Sequence, residues 1–183
     1  MKESPAPVRK PGVLILRRSL VAVAFVGLAV LLFADQRADP IHLWAIDRIV
    51  VEKSTRTLST FRSGQFVKQY RIALGQNPTG AKEQEGDMKT PEGLYTVDGR
   101  NAASDFHLAL HISYPSTVDR TRAAARGLDP GSDLEIHGLP NGHGSTGFHP
   151  RTDWTAGCIA VTDEEIDELW QSTPEGTVVE ITP

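Results

Sequence analysis

Residues 106–113 read FHLALHIS and alternate between two kinds of side chain. Phe106, Leu108, Leu110 and Ile112 fall on one face of an extended chain, and histidine, alanine and serine fall on the other. Alternation with a period of two is typical of a β-strand that turns one face to the core and the other to water. This stretch therefore predicts a sheet protein.

Further strands are predicted on both sides of this stretch. They cover residues 49–52, 57–61, 65–74, 94–97, 134–137 and 177–181. Capping boxes begin two short helices, one from Ser116 with Asp119 to Arg126 and one from Thr162 with Glu165 to Trp170. Two loops rich in glycine and proline, residues 75–93 and 138–153, interrupt the pattern, and loops of this kind often border functional sites.

Composition restricts the class of protein. A chain of 183 residues holds one medium-sized domain with an appendage, and its single cysteine excludes an internal disulfide and a multi-cysteine zinc site. Residues 1–34 contain five of the 19 basic residues and one of the 23 acidic ones, so 14 basic and 22 acidic residues follow, a charge of −8. A body this acidic repels phosphate backbones, which argues against nucleic acid as a partner.

The uncharged run Ser19–Ala34 follows two arginines and precedes Asp35. It indicates an export signal or a membrane anchor, and the basic residues before it place the rest of the chain outside the cytoplasm. An uncleaved anchor over residues 13–34 is favoured, with a cleaved signal and a buried core helix as alternatives. We expect residues 1–34 to be the signal or anchor, 35–46 a connector and 47–182 a domain in the periplasm or cell envelope.

Cys158 follows Thr155, Ala156 and Gly157 at the end of a glycine-rich loop. A lone cysteine is commonly a small buried hydrophobe. Gly157, however, would let the backbone approach a ligand closely, and consecutive amides in such a turn could bind an oxyanion. If Cys158 is a nucleophile, it needs a base, and His137 at the end of a predicted strand is the leading candidate, although it could equally be a structural histidine.

Two other arrangements of histidines stay open at this point. His107 and His111 share one strand face and could also serve as bases. A zinc site could form from His137, His143 and His149, which recur every six residues with Asp133 and Asp153 nearby. Metal ligands usually lie closely spaced on a helix or strand rather than along a loop, which argues against zinc.

The motif His137-Gly138, followed after 16 further residues by Thr155-Ala156-Gly157-Cys158, resembles the signature of the YkuD-type L,D-transpeptidase catalytic domain, also called the ErfK/YbiS family. Residues 89–95 (KTPEGLY) match as well, and the resemblance extends from about Asp47 to Ile181. Residues 107–115 and 153–161 are similar to a YafK-like branch of the family. The resemblance implies a β-sandwich or barrel with two or three short helices, preceded here by an N-terminal hydrophobic helix.

The resemblance also implies a chemistry. Cys158 would be the nucleophile, His137 the base, and the Gly138 carbonyl the group that orients the imidazole, with a thioester intermediate and no metal or other cofactor. The amides of Gly157 and Cys158 would form the oxyanion hole. Residues expected to contact substrate are Thr155, Ala156, His107, His111, Ser113 and Trp154. The implied substrates are peptidoglycan stem peptides in the cell wall.

Two positions depart from the family pattern. Ala156 replaces the usual histidine, and Ala160 replaces an arginine that many members carry two residues after the cysteine. Neither change removes the nucleophile or the base, but both affect how a substrate carboxylate is held and which acceptor is used. Three functions therefore remain: a transpeptidase, a hydrolase that uses water and could release a wall-linked lipoprotein, and a module that binds cell-wall peptide without turnover.

Overall fold

A computed structural model of the chain describes residues 45–142 and 152–183. These residues contain eight strands and two helices. The strands are β1 (Arg48–Glu52), β2 (Thr57–Arg62), β3 (Gln65–Arg71), β4 (Gly93–Asn101), β5 (Ala109–Ile112), β6 (Glu135–His137), β7 (Ile159–Ala160) and β8 (Val178–Thr182). The helices are α1 (Thr117–Ala124) and α2 (Asp163–Ser172). All lie in one unit, Ile41–Pro183.

The strands form one sheet in the order β3-β2-β1-β8-β4-β5-β6-β7. The antiparallel pairs β1–β2 and β2–β3 are the predicted meander. The last strand, β8, lies in the middle, parallel to β1 and antiparallel to β4. Strand β8 therefore joins the part of the sheet made by β1–β3 to the part made by β4–β7.

The sheet curls so that its two ends approach each other. The segment after β3 returns to β7, where Ala73 and Ala160 exchange backbone hydrogen bonds of 2.9 Å in both directions. A second bridge joins Gly75 to Thr155. The prediction of a mainly β fold is confirmed, and its form is a single sheet curled into a half-barrel rather than two stacked sheets.

The core fills the inside of this curl. Its largest fully buried side chains are Ile49, Leu58, Ile72, Leu74, Leu110, Ile112, Ile136, Leu139, Ile159, Ile166, Leu169 and Ile181. Both predicted capping boxes are present, with Ser116 and Asp119 at the start of α1 and Thr162 and Glu165 at the start of α2. Ile166 and Leu169 are the buried residues of α2.

The stretch 106–113 is a strand over only part of its length. His107 has a φ of +65°, which ends the extended conformation before β5 begins at Ala109. The amide of Gly138 donates to the carbonyl oxygens of Phe106 and Leu108 instead of a regular ladder partner. Ala109 is also fully buried, so the second face of this strand is covered there rather than wet.

The predicted N-terminal hydrophobic helix and anchor lie outside the described residues. Within residues 45–142 and 152–183, no helix has the length and apolar character needed to cross a membrane.

Candidate active site

Cys158 lies immediately before β7, at the place where the curled sheet closes. Strands β6 and β7 pair in parallel with His137 opposite Ala160, so Glu135 is level with Cys158. Because side chains on a strand alternate between faces, Cys158 and His137 project from the same face, two residues apart along the strand direction. The sheet register therefore places the predicted nucleophile and base on neighbouring segments of the chain.

The turn before Cys158 is held by Thr155. The Thr155 hydroxyl donates to the Cys158 carbonyl oxygen at 2.7 Å and accepts from the Gly157 amide at 3.1 Å. Gly157 has a φ of +141°, and a Cβ there would lie 2.8 Å from the Lys89 carbonyl oxygen. Glycine is therefore required at position 157 by both backbone conformation and space.

The Cys158 thiol is half-buried and lies beside the strand that carries His137. Its sulfur donates to the Asp133 carbonyl oxygen at 3.6 Å. Burial raises the pKa of Cys158 to about 11, against the lowering effects of a hydrogen bond from the Glu135 backbone and of the nearby Lys82 ammonium. The resting thiol is therefore protonated at neutral pH.

The His137 imidazole is only 2% exposed and has a fixed tautomer. Its Nδ1 lies 2.8 Å from the Gly138 carbonyl oxygen, and since a carbonyl can only accept, Nδ1 carries the proton and Nε2 keeps its lone pair. Burial lowers the pKa of His137, although the hydrogen bond to Gly138 favours the protonated form. The ring is therefore neutral at pH 7 and ready to accept a proton at Nε2.

Two aromatic rings hold the His137 imidazole in place. The ring centroid of Phe106 lies 4.5 Å from that of His137, and the centroid of Trp154 lies 5.7 Å away. Trp154 was predicted near the substrate, and its ring contacts the base. Alternation in residues 106–113 predicts Phe106 on the apolar face, and nothing in the strand pattern distinguishes a core aromatic from one that packs on a reactive imidazole.

A cavity of about 320 Å³ opens beside Cys158. Its walls are Lys82, Glu85, Gly86 and Met88 from one predicted loop, Gly131–Leu134 from the connection before β6, and Ala156–Cys158. A cavity of about 550 Å³ around residues 45–47, 62–63 and 174–177 is larger, but Cys158 does not line it. The chemistry therefore assigns the smaller cavity as the candidate substrate site.

Three predicted substrate residues lie away from this cavity. His107 Nε2 lies 3.0 Å from Asp167 on α2, His111 pairs with Asp98, and the Ser113 hydroxyl accepts from the Thr96 amide at 2.9 Å. Of the residues predicted to contact substrate or an oxyanion, Ala156 and Gly157 line the cavity, whereas Thr155 shapes the turn from behind.

The zinc alternative needs His143 and His149, which lie outside the described residues. Asp153 accepts from the Arg56 guanidinium at 2.8 Å and from the Leu74 amide at 3.0 Å, so its oxygens already have partners. Within the described ranges, no three histidine, cysteine or acidic side chains are grouped closely enough to hold a metal ion.

Comparison with known proteins gives relatives with the same domain. "Putative L,D-transpeptidase YafK" of Escherichia coli K12 is 30% identical over 129 residues, which are 67% of this chain and 45% of that protein. The crystal structure of the helical cell shape determining protein Pgp2 from Campylobacter jejuni is similar with a TM-score of 0.58 at 24% identity, covering 74% of this chain and 47% of that one. Bd1075 from Bdellovibrio bacteriovorus is similar with a TM-score of 0.53 at 25% identity, covering 76% and 49%. The chain thus spans about half the length of these relatives.

The family model for the YkuD L,D-transpeptidase catalytic domain matches residues 46–181. This range takes in every strand and helix described above except the last residue of β8, together with Cys158 and His137. The resemblance first seen in the sequence motifs is therefore confirmed. The chain belongs to the YkuD family of L,D-transpeptidase catalytic domains.

Proposed function

We propose that this protein is a cysteine-dependent L,D-transpeptidase that acts on peptidoglycan stem peptides through a thioester intermediate. The observation that carries the proposal is the register of β6 and β7, which puts Cys158, just before β7, on the same side of the sheet as His137, with the cysteine lining a cavity. The hydrogen bond from His137 Nδ1 to Gly138 adds to it, because it leaves Nε2 as the acceptor of the thiol proton.

In this mechanism both groups begin neutral. The Cys158 sulfur attacks the carbonyl carbon of a peptide amide while its proton passes to His137 Nε2, and the imidazolium then donates that proton to the leaving amine. The sulfur keeps the acyl group as a thioester. An incoming amine, deprotonated by the same imidazole, attacks the thioester and restores the thiol.

The oxyanion formed during the attack needs hydrogen-bond donors. The predicted donors are the amides of Gly157 and Cys158, but the Gly157 amide donates to the Thr155 hydroxyl in the structure. An oxyanion therefore competes with this hydroxyl for the Gly157 amide, and the turn would shift slightly as the intermediate forms.

A hydrolase is the second candidate, because the departures at positions 156 and 160 leave the acyl acceptor open. Ala160 is 1% exposed and fixed by its backbone bonds to Ala73, so this position offers no charged side chain to hold a substrate carboxylate. With water as the acceptor, the same thioester would be hydrolysed, for example during release of a wall-linked lipoprotein. In either case we place the domain outside the cytoplasm, attached to the inner membrane through residues 13–34.

Mass spectrometry of muropeptides incubated with the full chain tests the proposal. Cross-linked or exchanged products that require an added amine and disappear in Cys158→Ser indicate a transpeptidase. Cleavage alone indicates a hydrolase, and binding with no change in mass indicates a module without turnover. Turnover by Cys158→Ser at the wild-type rate would refute the nucleophile assignment.

A pair of histidine variants tests the base. His137→Ala should lower the rate by about 10² to 10⁴ through loss of general-base catalysis. His111→Ala is the matched control, because His111 pairs with Asp98 outside the cavity and should keep most of the activity.

A further inference from the structure

Lys82 is a buried lysine in the wall of the cavity that contains Cys158. It is 8% exposed, and of the described residues that line this cavity it is the one with a positive charge. Glu85 and Asp133, which also line the cavity, are acidic. Lysine is rarely buried without a partner because removal of its charge from water is costly. The position of Lys82 therefore needs an explanation.

Asp87 provides the partner and fixes the ammonium group. Lys82 Nζ donates to Asp87 Oδ1 at 2.8 Å and to the Gln84 carbonyl oxygen at 3.0 Å. The Asp87 carboxylate also accepts from the backbone amides of Glu83, Gln84 and Lys89. Burial opposes the charged form of Asp87, but these hydrogen bonds hold its pKa below the usual value. The loop is therefore folded around an ion pair.

This loop is also attached to the segment that follows α1. The Glu85 amide donates to the Asp129 carbonyl oxygen at 2.8 Å, and Arg126 pairs with Glu83 at 2.9 Å. The ammonium of Lys82 has three N–H donors, of which two point to Asp87 and Gln84. The third N–H donor of Lys82 is left for a ligand, and the Lys82 side chain forms part of the cavity wall.

We propose that Lys82 binds a carboxylate of the peptide that enters the Cys158 cavity. The inference rests on the proposed function in one respect, namely that the ligand is a peptide acylating Cys158. Ala156 and Ala160 contribute no charge, so Lys82 supplies the cation that these positions lack. A hydrogen bond between ions is stronger than one between neutral groups, and it selects a peptide with a free carboxylate over its amide. Lys82 is in this sense a specificity-determining residue.

Two alkylating reagents test this inference without any peptidoglycan. Iodoacetate and iodoacetamide have nearly the same shape, but only iodoacetate carries a carboxylate. Because the full chain has a single cysteine, intact-mass measurement gives the rate of Cys158 alkylation by each reagent directly. The ratio of the two rates reports carboxylate binding beside Cys158, whereas a change in thiol reactivity affects both rates equally.

We expect the iodoacetate-to-iodoacetamide ratio to fall about tenfold in Lys82→Gln and to be retained in Lys82→Arg. Lys82→Gln leaves Asp87 without its ion-pair partner, so the double variant Lys82→Gln/Asp87→Asn, which removes both charges, should show the same fall. Lys89→Gln is the matched control, since it removes a positive charge from the same loop but outside the cavity lining. Melting temperatures identify any variant that fails to fold.

An unchanged ratio in the folded double variant would overturn the inference. So would an equal fall of both rates, because Lys82 would then act on the thiol and not on the incoming carboxylate. A second measurement uses muropeptides and their amidated forms: Lys82→Gln should raise KM about tenfold for the free carboxylate and leave KM for the amide unchanged. Failure of the proposed function would remove turnover from every variant but leave the alkylation ratio readable.

Discussion

Alkylation of Cys158 by iodoacetamide should be slow at neutral pH and should accelerate about tenfold for each unit of pH between 7 and 10. The reason is the burial that raises the pKa of this thiol to about 11, from an ordinary value of 9.0. Only the thiolate reacts, and a pKa of about 11 leaves roughly one thiol in 10⁴ ionised at pH 7. An ordinary thiol has roughly one in 10² ionised at that pH.

The expected rate follows from two opposing effects. The raised pKa lowers the thiolate fraction about 100-fold, but a more basic thiolate is more nucleophilic, with a Brønsted coefficient of about 0.4–0.5. Over two pKa units this recovers a factor of about 8. Cys158 should therefore react about tenfold more slowly at pH 7 than a cysteine in a short unstructured peptide, which is the reference in the same assay.

The assay follows the intact mass of the full chain at a series of pH values from 6 to 10. His137→Asn should leave the slope unchanged, because a neutral imidazole does not hold the thiol as a thiolate. A rate that is flat between pH 6 and 9 would refute the reasoning, since it would mean that Cys158 and His137 rest as a thiolate and imidazolium pair. The resting state inferred from burial, and with it the first step of the mechanism, would then be incorrect.

Three further predictions concern stability and binding. Lys53→Met should lower the free energy of unfolding in urea by about 3 kcal/mol, because the buried Lys53 ammonium contacts Glu92 and two loop carbonyls; the same change at the exposed Lys68 should cost under about 1 kcal/mol. Because burial lowers the pKa of His137 in the folded chain, the unfolded chain binds a proton there more readily. The free energy of unfolding should therefore fall as the pH drops below about 6.5, by at most about 1.4 kcal/mol per pH unit. The fall should be less steep in His137→Asn. His107→Ala should leave muropeptide affinity unchanged, because His107 pairs with Asp167 on α2; weaker binding at an unchanged melting temperature would place His107 in the substrate site.

Local patterns predicted the elements of this fold well. The capping boxes at Ser116 and Thr162 place both helices, since a cap is a contact between residues three apart. Strand β7 could not be predicted, because two residues carry no periodicity and its existence depends on β6 and on Ala73. The single curled sheet likewise depends on contacts between residues far apart in the chain.

The candidate site also has parts that the sequence predicts and parts that depend on contacts between distant residues. The Cys158 and His137 motif is local enough in the sequence to be identified, and the structure adds only its geometry. The pairing of His107 with Asp167 was not predictable, because strand alternation places His107 on a wet face and the actual backbone leaves the extended region there. Lys82 was missed because a lysine in a polar loop resembles any solvated charge until its burial is known.

The central position of β8 also determines when the site can exist. The strand that completes the sheet between β1 and β4 follows all the other strands in chain order, and Arg48 pairs with Val178 across 130 residues of sequence. A chain that emerges N-terminus first can form the β1–β3 hairpins early, but nothing joins them to β4–β7 until β8 has been made. The sheet around Cys158 is therefore completed by a strand that is synthesised after the nucleophile itself.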